Sequence, residues 1–546
     1  MINDWLLINY AGYPYSPTSL MPDNGLANLA GALIKVGANV LILDYCTINV
    51  INKLTPKNIM KQLNEIFDNA NSSYAKKNLI ENTRYYLELL RAEFVRKQRT
   101  ARLLDEIFND IEVEIKQRKI TGIGFKLWNG DGIEGVVKIA KRIKHDYPKI
   151  KIFGGGPQVD VFMHKILDYN CFDGLVYGEG EEAIKYLAQC GDDFKQYHKI
   201  PNLLYRNDGQ NITTYEKIIE KLDSLPMPCY DEKVYPAMRN NDKIKIIVVD
   251  ESRGCTNSCA FCIHPIKSKN IQRLKSTKRL ISEIETFKEK YKIHTFRFAG
   301  SSTPYSLMNE FAIELINKKI NVVYSSFGHI RSGENADFET IRKSGCRSLF
   351  FGIESGSDKV LTLMRKKINR DMIIETIKKA KRASIYTVGS LIFPAPGEDN
   401  VSRKETLALL KEIELDASPI HFPIVMPRTD WYENPKKYNI DLKDKNRYAR
   451  ISFKWKAKMI MPPQFWNRLP FSIDNRNHKE IIKMTAQFIK DVNKLGINTS
   501  VTDEMYIMSI RAGIEINKFK DEIRKAFFSG DSEKIHSVVT SINKNI

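Results

Sequence analysis

The chain has 546 residues, 42% hydrophobic and 27% charged, with a formal net charge of +20. At roughly 150 residues per domain this length carries two to four domains, and the balance excludes a disordered or collagen-like chain. No run of about 18 apolar residues occurs, which excludes a transmembrane helix, and eight cysteines are too few for a disulfide scaffold at this length.

The positive charge is spread as single lysines along the whole chain, without a dense arginine tract or a known RNA-binding motif. A nucleic-acid partner is therefore not expected. The first residues, MINDWLLINYAGYPY, read as a strand and lack the basic, apolar layout of a secretory leader. Scattered free thiols fit a reducing, cytoplasmic setting.

Residues 1–190 alternate strand and helix patterns. Trp5–Tyr10, Asn39–Asp44, Gly122–Lys126, Ile150–Phe153 and Gly174–Tyr177 are apolar strand-like runs. Between or after them lie helical patterns at Asn24–Val36, Ile133–Lys144, Val159–Leu167 and Glu181–Leu187. Such alternation predicts a doubly wound, Rossmann-like α/β domain with a parallel sheet. Ligands of these sheets bind at the carboxyl ends of the strands. The loops there contain Gly12 and Tyr13, Leu127 and Trp128, Gly155-Gly156-Pro157, and Gly178-Glu179-Gly180. Glycines at these points let a flat ligand approach the backbone, and a nucleotide or a protein partner would be served as well. Residues 55–118 interrupt the alternation with apolar residues at helical spacing, and read as an inserted helical hairpin.

Residues 191–242 read as a connector: a hairpin around Asn207-Asp208-Gly209, then an extended proline-containing linker at Leu222–Pro236 in which no chemistry is visible. Cys255, Cys259 and Cys262 follow the β-rich run Ile244–Asp250, at C-x3-C-x2-C spacing. Three thiolates on one short loop can hold three irons of a cubic iron–sulfur cluster and leave the fourth open. A zinc site completed by His264 is the alternative, although zinc prefers four closed ligands and His264 lies only two residues beyond Cys262. After the cysteines, six strand patterns with intervening helices up to residue 430 suggest a partial barrel. Active sites of barrels lie at the carboxyl ends of their strands, where the cysteine loop falls.

The cysteine spacing, with Phe261 before the third cysteine, resembles the radical S-adenosylmethionine (radical SAM) enzymes. The resemblance extends through Ala299-Gly300-Ser301, Phe351-Gly-Ile-Glu354-Ser355, Lys366, the Gly389–Glu398 stretch around Ile392, and Val425–Trp431, where Arg428 replaces a family glycine. It implies that Cys255, Cys259 and Cys262 hold a [4Fe–4S] cluster whose open iron binds SAM. Phe261, Gly300, Ser301, Glu354, Ser355, Lys366 and Ile392 would line the SAM site. The family's glutamate after the second barrel strand is missing from the Ala299–Pro304 loop.

The order of pieces in residues 1–190 is similar to the cobalamin-binding domain fused to a subset of radical SAM enzymes. The D-x-H-x-x-G motif, whose histidine ligates cobalt in other cobalamin proteins, does not occur here. The resemblance implies cobalamin held without a protein histidine by Gly12, Tyr13, Leu127, Trp128, Gly155, Gly156, Pro157, Gly178, Glu179 and Gly180. The expected layout is a cobalamin domain at 1–190, a connector at 191–242, a radical SAM partial (β/α)6 barrel at 243–430 and a mostly helical substrate-shaping region at 431–546. The expected activity is methylation of an unactivated carbon in a small-molecule or peptide substrate, through a 5′-deoxyadenosyl radical and methylcobalamin. Rearrangement or ring closure without methyl transfer, and simple electron transfer, are the competing readings. An electron donor such as flavodoxin or ferredoxin is implied as a partner. Trp455, Phe465, Trp466 and Phe471 read as packing aromatics near Pro462-Pro463.

Overall fold

Alternation of buried apolar strands with amphipathic helices produces two parallel sheets packed against each other. The computed structural model describes residues 4–72, 79–191, 193–301, 303–455 and 466–544. Ser302, Phe465 and Pro462-Pro463 lie outside them.

The first sheet is built from β1 (Asp4–Asn9), followed by helix α1 (Asn24–Lys35), then β2 (Asn39–Asp44). Helices α2 (Lys57–Ser72) and α3 (Leu79–Gln117) form the insertion. The sheet resumes with β3 (Ile120–Lys126), β4 (Lys151–Gly155) and β5 (Gly174–Val176), after which comes α4 (Gly180–Cys190). Its order is β2-β1-β3-β4-β5, all parallel, so the order reverses between β1 and β3. The crevice at such a switch point is the usual ligand site of an open α/β sheet. The hairpin β6 (Leu203–Asn207) and β7 (Gln210–Thr213) continues the same sheet antiparallel from β5. Sequence reading assigned it to a separate connector. Its buried face, Leu203 to Tyr205, needs the sheet beside it.

The two faces of this sheet differ. Leu6, Ile8, Ile123 and Phe125 face the insertion side and fill their space. On the other face, toward α1 and α4, alternation places Trp5 and Leu7 of β1 beside Gly122 and Gly124 of β3, and Phe153 and Gly155 of β4 beyond them. Three of those six positions are glycine, so the sheet is thin there. Trp5 covers Gly122, where a Cβ would stand 2.6 Å from its ring, and it stacks on Phe153 at 5.8 Å.

The second sheet contains β8 (Ile247–Val249), β9 (Thr295–Phe298), β10 (Val323–Gly328), β11 (Cys346–Glu354), β12 (Tyr386–Ile392) and β13 (Ile420–His421), with helix α5 (Asp358–Leu363) after β11. These six parallel strands run in sequence order, the partial barrel expected. The barrel's outer core and the α1/α4 side of the first sheet merge into one hydrophobic cluster, with Leu7, Leu26 and Phe153 joined to Ile247, Phe296 and Phe298. The two sheets are thus fastened by burial, the dominant favourable contribution in folding.

Helix α6 (Asp503–Ala512) packs against β10, β11 and β12. Its fully buried Asp503 accepts from Arg297 at 2.9 Å and Ser325 at 2.8 Å, and Tyr506 stacks on Tyr386 at 3.8 Å. Trp455 and Phe471 are buried around His478, and Trp466 packs on the same cluster. Among the described residues no helix is long and apolar enough to cross a membrane.

Candidate active site

The cysteine loop leaves β8 at the barrel mouth. It is pinned at its middle: Ala260 N donates to Met364 O, just past α5, at 2.9 Å, and Ala260 O accepts from Trp431 N at 3.0 Å. Phe261 packs on Trp431 with ring centroids 5.6 Å apart. Asn257 Nδ2 donates to Cys255 Sγ at 3.5 Å and stands 3.0 Å from His329 Nε2. Burial pushes the Cys259 thiol up and the Cys262 thiol up to about 11, while Lys366 pulls both down. Lys366 is the cation of this loop and also pairs with Glu354 at 3.0 Å. Metal binding requires thiolates and displaces their protons, so an ammonium here favours the ligating form. Among the described residues no three His, Cys, Asp or Glu side chains converge on a point that would hold one metal ion. Three thiolates that each bind a different iron of a cube stand wider apart than the ligands of one zinc, whose sulfurs all lie at about 2.3 Å from the ion. His264 is turned away, with Nδ1 2.9 Å from Ser301 Oγ. The donor set fits a cluster with an open iron better than a closed zinc site.

Glu354 ends β11 in the left-handed region, at φ 70°, beside a register shift. Non-glycine residues held there cost about 1–3 kcal/mol and cluster at functional sites. Its carboxylate is turned to Lys366. Ser355 is fully buried, its hydroxyl 3.3 Å from Thr406 Oγ1 and accepting from Ser357 N at 3.2 Å. It holds helix Asn400–Ile413 against the end of β11, whereas the resemblance had placed it among SAM contacts. Ile392 ends β12 opposite His421 and packs with the apolar group around Ala260 and Trp431.

The missing glutamate of the Ala299–Pro304 loop has a counterpart that sequence reading passed over. Glu251, fully buried directly after β8, accepts from Ala299 N at 3.1 Å, Gly300 N at 3.0 and 3.1 Å, Ser252 Oγ at 3.1 Å and Thr303 Oγ1 at 2.5 Å. A Cβ on Gly300 would stand 2.0 Å from Glu251 Oε1 and from Ser252 Oγ, so glycine is required. Its partners lie about 50 positions on, with nothing local to signal them.

A cavity of about 370 Å³ joins this mouth to the first domain. Gly155, Gly156, Pro157, Gly178, Glu179 and Gly180 line one side, and Arg253, His264, Lys267 and Ser301 the other. It continues as a slot between the glycine face of the first sheet and helices α1 and α4, past Leu7, Gly124, Phe153, Leu26 and Ile184 to Trp5. Gly156 and Gly178 have φ of 103° and 66° and present bare backbone. The connector also contributes Glu216, Lys217 and Ile218, contrary to the reading of that segment as free of chemistry.

Of the expected SAM-site residues only Ser301 lines this cavity, and four expected corrinoid residues are not brought to it. Tyr13 is drawn the other way: its hydroxyl donates to Phe527 O at 3.0 Å and its ring lies under Arg96 of the insertion. Gly12 lies against Asp131. Leu127 is buried on the opposite face, beneath Gly154. Trp128 Nε1 donates to Asn9 at 2.8 Å.

The seam between the sheets is charged. Arg253 donates to Glu181 at 2.6 Å and to Asp250 at 2.9 Å, and Asp250 accepts from Asn24 and Asn28 of α1. Arg253, with the help of Lys275, holds the buried Asp250 carboxyl below its usual range against the burial that raises it. Arg273 pairs with Glu179 at 2.8 Å, and Lys267 with Asp160 at 2.5 Å. Arg428, at φ 71° where the family has glycine, donates to Asp160 O. Glu179 is therefore both a cavity residue and a fastening between the domains.

The flanks of a cysteine loop at a partial-barrel mouth share a cavity with the switch point of a second parallel sheet. Residues 252–410 match the Radical SAM superfamily and residues 92–188 the B12 binding domain. The chain thus joins a B12 binding segment to a Radical SAM segment, and the cofactors these two segments imply are a [4Fe–4S] cluster, SAM and cobalamin. It is 25% identical over 354 residues to an uncharacterized methyltransferase of Pyrococcus horikoshii, covering 63% of this chain and 76% of that protein. It is 25% identical to a putative methylthiotransferase of Methanocaldococcus jannaschii, over 55% of this chain and 65% of that one. The fold resembles the radical SAM methyltransferase TsrM from Kitasatospora setae with cobalamin and [4Fe–4S] cluster bound, at TM-score 0.62 and 12% identity over 98% of this chain and all of that one. It also resembles the cobalamin-dependent radical enzyme OxsB with aqua-cobalamin bound, at TM-score 0.55 and 12% identity over 96% of this chain and 72% of that one.

Proposed function

We propose that this enzyme methylates an unactivated carbon of a small-molecule or peptide substrate placed between its two sheets. The observation that supports the reading is the one cavity bounded by the loops of the first sheet and by the flanks of the cysteine loop, Gly254 and His264, with Ser301 beside them. Bound there, the cluster with SAM supplies a hydrogen-abstracting radical and the corrinoid supplies a transferable methyl group.

The chain's own residues do the placing. Cys255, Cys259 and Cys262 hold the cluster, and Lys366 offsets the negative charge gathered on their loop. Glu354 is placed to accept from sugar hydroxyls of SAM once Lys366 turns to an anionic group of that ligand. Glu251 holds Ala299, Gly300 and Thr303, so that Gly300 and Ser301 present an edge to SAM. Gly155, Gly156, Pro157, Gly178 and Gly180 admit a flat macrocycle to bare backbone, and the slot beyond them takes its nucleotide tail. The ion pairs of Arg253, Arg273 and Lys267 hold both halves in register. Positioning of this kind matters because about 1 Å of misplacement can cost on the order of a hundredfold in rate. A reducing, cytoplasmic compartment and a flavodoxin- or ferredoxin-type donor suit an enzyme with free thiols and a reducible cluster.

Anaerobic reconstitution with iron, sulfide, cobalamin, SAM and reductant tests the reading. Formation of 5′-deoxyadenosine, S-adenosylhomocysteine and a methylated product in step supports it. Deoxyadenosine without S-adenosylhomocysteine would instead support rearrangement or ring closure. The tRNA 2-methylthio-N(6)-dimethylallyladenosine synthases among the relatives, such as that of Bacillus subtilis at 25% identity over 47% of this chain, make total tRNA a substrate to include in the same assay.

A further inference from the structure

Asn257 lies between the first two cysteines of the loop, and its side-chain amide meets two groups at once. Nδ2 stands 3.5 Å from Cys255 Sγ and 3.0 Å from His329 Nε2. A thiolate accepts and cannot donate, so the NH2 end of the amide, not its carbonyl, faces the sulfur. That end has two hydrogens: one points to Sγ and the other is left for Nε2. His329 Nε2 therefore accepts, and the imidazole is neutral with its proton on Nδ1. Burial, helped by Lys366 and Arg331, holds this imidazole down to about 4, so it stays an acceptor at neutral pH. His329 directly follows β10, 72 positions from Asn257. It thus grips the amide from outside the cysteine loop. Turning the amide over would bring its oxygen against both a thiolate and the Nε2 lone pair. The sulfur is held on its own side too: Cys255 is buried, and its backbone N donates to Ser268 Oγ at 3.3 Å.

We propose that Asn257, held by His329, raises the cluster's reduction potential through its N–H···S hydrogen bond to the Cys255 thiolate. The inference rests on Cys255, Cys259 and Cys262 being the cluster's ligands. The cluster must accept one electron from its donor before that electron can pass to SAM. The added electron increases the negative charge shared by the irons and their thiolates. A donor on a ligand sulfur stabilises that charge more in the reduced state than in the oxidised one, and hydrogen bonds to the sulfurs are among the features that set cluster potentials. No protein bond breaks and no proton moves, because the amide acts through its dipole alone. The loop's cation complements it: Lys366 draws on the Cys259 and Cys262 thiols, and Asn257 serves the third sulfur.

The test is a redox titration of the full chain, reconstituted anaerobically without SAM and followed by the EPR signal of the reduced cluster. Wild type, Asn257→Leu, His329→Leu and the double variant are compared, each first shown by iron analysis to hold its cluster. Leucine keeps the shape of asparagine and removes the donor. Asn257→Leu should lower the ratio of reduced to oxidised cluster at a fixed potential by about threefold to tenfold, where tenfold is about 59 mV for one electron. His329→Leu should shift the potential in the same direction by less, because the amide keeps its donor and loses its hold. The double variant should match Asn257→Leu, since His329 acts only through the amide. A potential unchanged or raised in Asn257→Leu overturns the inference, and a further lowering in the double variant overturns the part given to His329. Wild type that binds no iron overturns the cluster assignment beneath both, an outcome distinct from a cluster whose potential ignores Asn257. Should Asn257→Leu lose its cluster, hyperfine spectroscopy on the reduced wild-type cluster decides. Protein carrying asparagine labelled with nitrogen-15 at the side-chain amide should show a nitrogen coupling, and its absence contradicts the hydrogen bond.

Discussion

Glu251 gives the sharpest structural prediction. Oε2 accepts from both Ala299 N and Gly300 N, at 3.1 and 3.0 Å, while Oε1 faces the hydroxyls of Thr303 and Ser252 and a second contact from Gly300 N. Glu251→Gln can keep its carbonyl on the two amides and turn its NH2 toward the two hydroxyls, which accept as readily as they donate. Its cost should stay within about 1 kcal/mol. Glu251→Ala removes every acceptor and leaves two backbone donors in a fully buried site. At roughly 1–3 kcal/mol for each orphaned group, this loop should lose about 3 kcal/mol of local stability, on the order of a hundredfold in its opening equilibrium. Hydrogen exchange of the Ala299 and Gly300 amides reads that quantity directly, without a two-state assumption for a multidomain chain. Gly300→Ala should resemble Glu251→Ala, because its Cβ displaces the carboxylate. Unchanged protection in Glu251→Ala, or equal loss in Gln and Ala, would refute the reasoning.

Other predictions address separate parts of the molecule. Replacing Cys255, Cys259 or Cys262 singly by Ala should remove most bound iron and the cluster's visible absorption after anaerobic reconstitution, and retention of full iron by any one of them would remove it from the ligand set. A double-mutant cycle on Arg273→Ala and Glu179→Ala should give a coupling of about 1–2 kcal/mol in unfolding, since the two side chains pair at 2.8 Å with little exposure; additivity would show that the seam does not depend on the pair. Burial, helped by Arg468, holds the His478 imidazole down to about 4, against roughly 6.5 in an unfolded chain, and its Nδ1 accepts from Leu469 N at 3.0 Å. The unfolded chain then binds the extra proton first, so stability is full above about pH 6.5 and falls by about 3 kcal/mol as pH drops toward 4. His478→Gln should flatten the melting temperature across that window, and an unchanged slope would assign it to other groups.

What the sequence disclosed follows the range of the forces involved. Local alternation was legible: WLLINY and NVLILD became β1 and β2, and the Asp208-Gly209 turn became the β6–β7 hairpin. The cysteine loop and the six barrel strands were legible because their signals are short and ordered. The barrel's first strand was overread. Of the run Ile244–Asp250 only Ile247–Val249 pairs within the barrel, while Ile244 N donates instead to Leu20 O of the other domain. Glu251 was missed because its partners are backbone amides, which no residue type announces. The Glu179–Arg273 and Glu181–Arg253 pairs join residues about 70 to 95 positions apart, so only the packed fold brings them together. Tyr13 and Trp128 were misplaced for the same reason. A loop at a strand's end has two ways to turn, and here Arg96 and Phe527 attract Tyr13 while Asn9 attracts Trp128.

The central claim is that cluster and corrinoid face one cavity. Pulsed EPR on the reconstituted enzyme, with the cluster reduced and the corrinoid as cob(II)alamin, measures the magnetic coupling between the two directly. A clear dipolar interaction between the two spins, lost in Cys255→Ala, is the predicted result. Two independent signals with no mutual coupling, in enzyme shown to contain both groups, would contradict it.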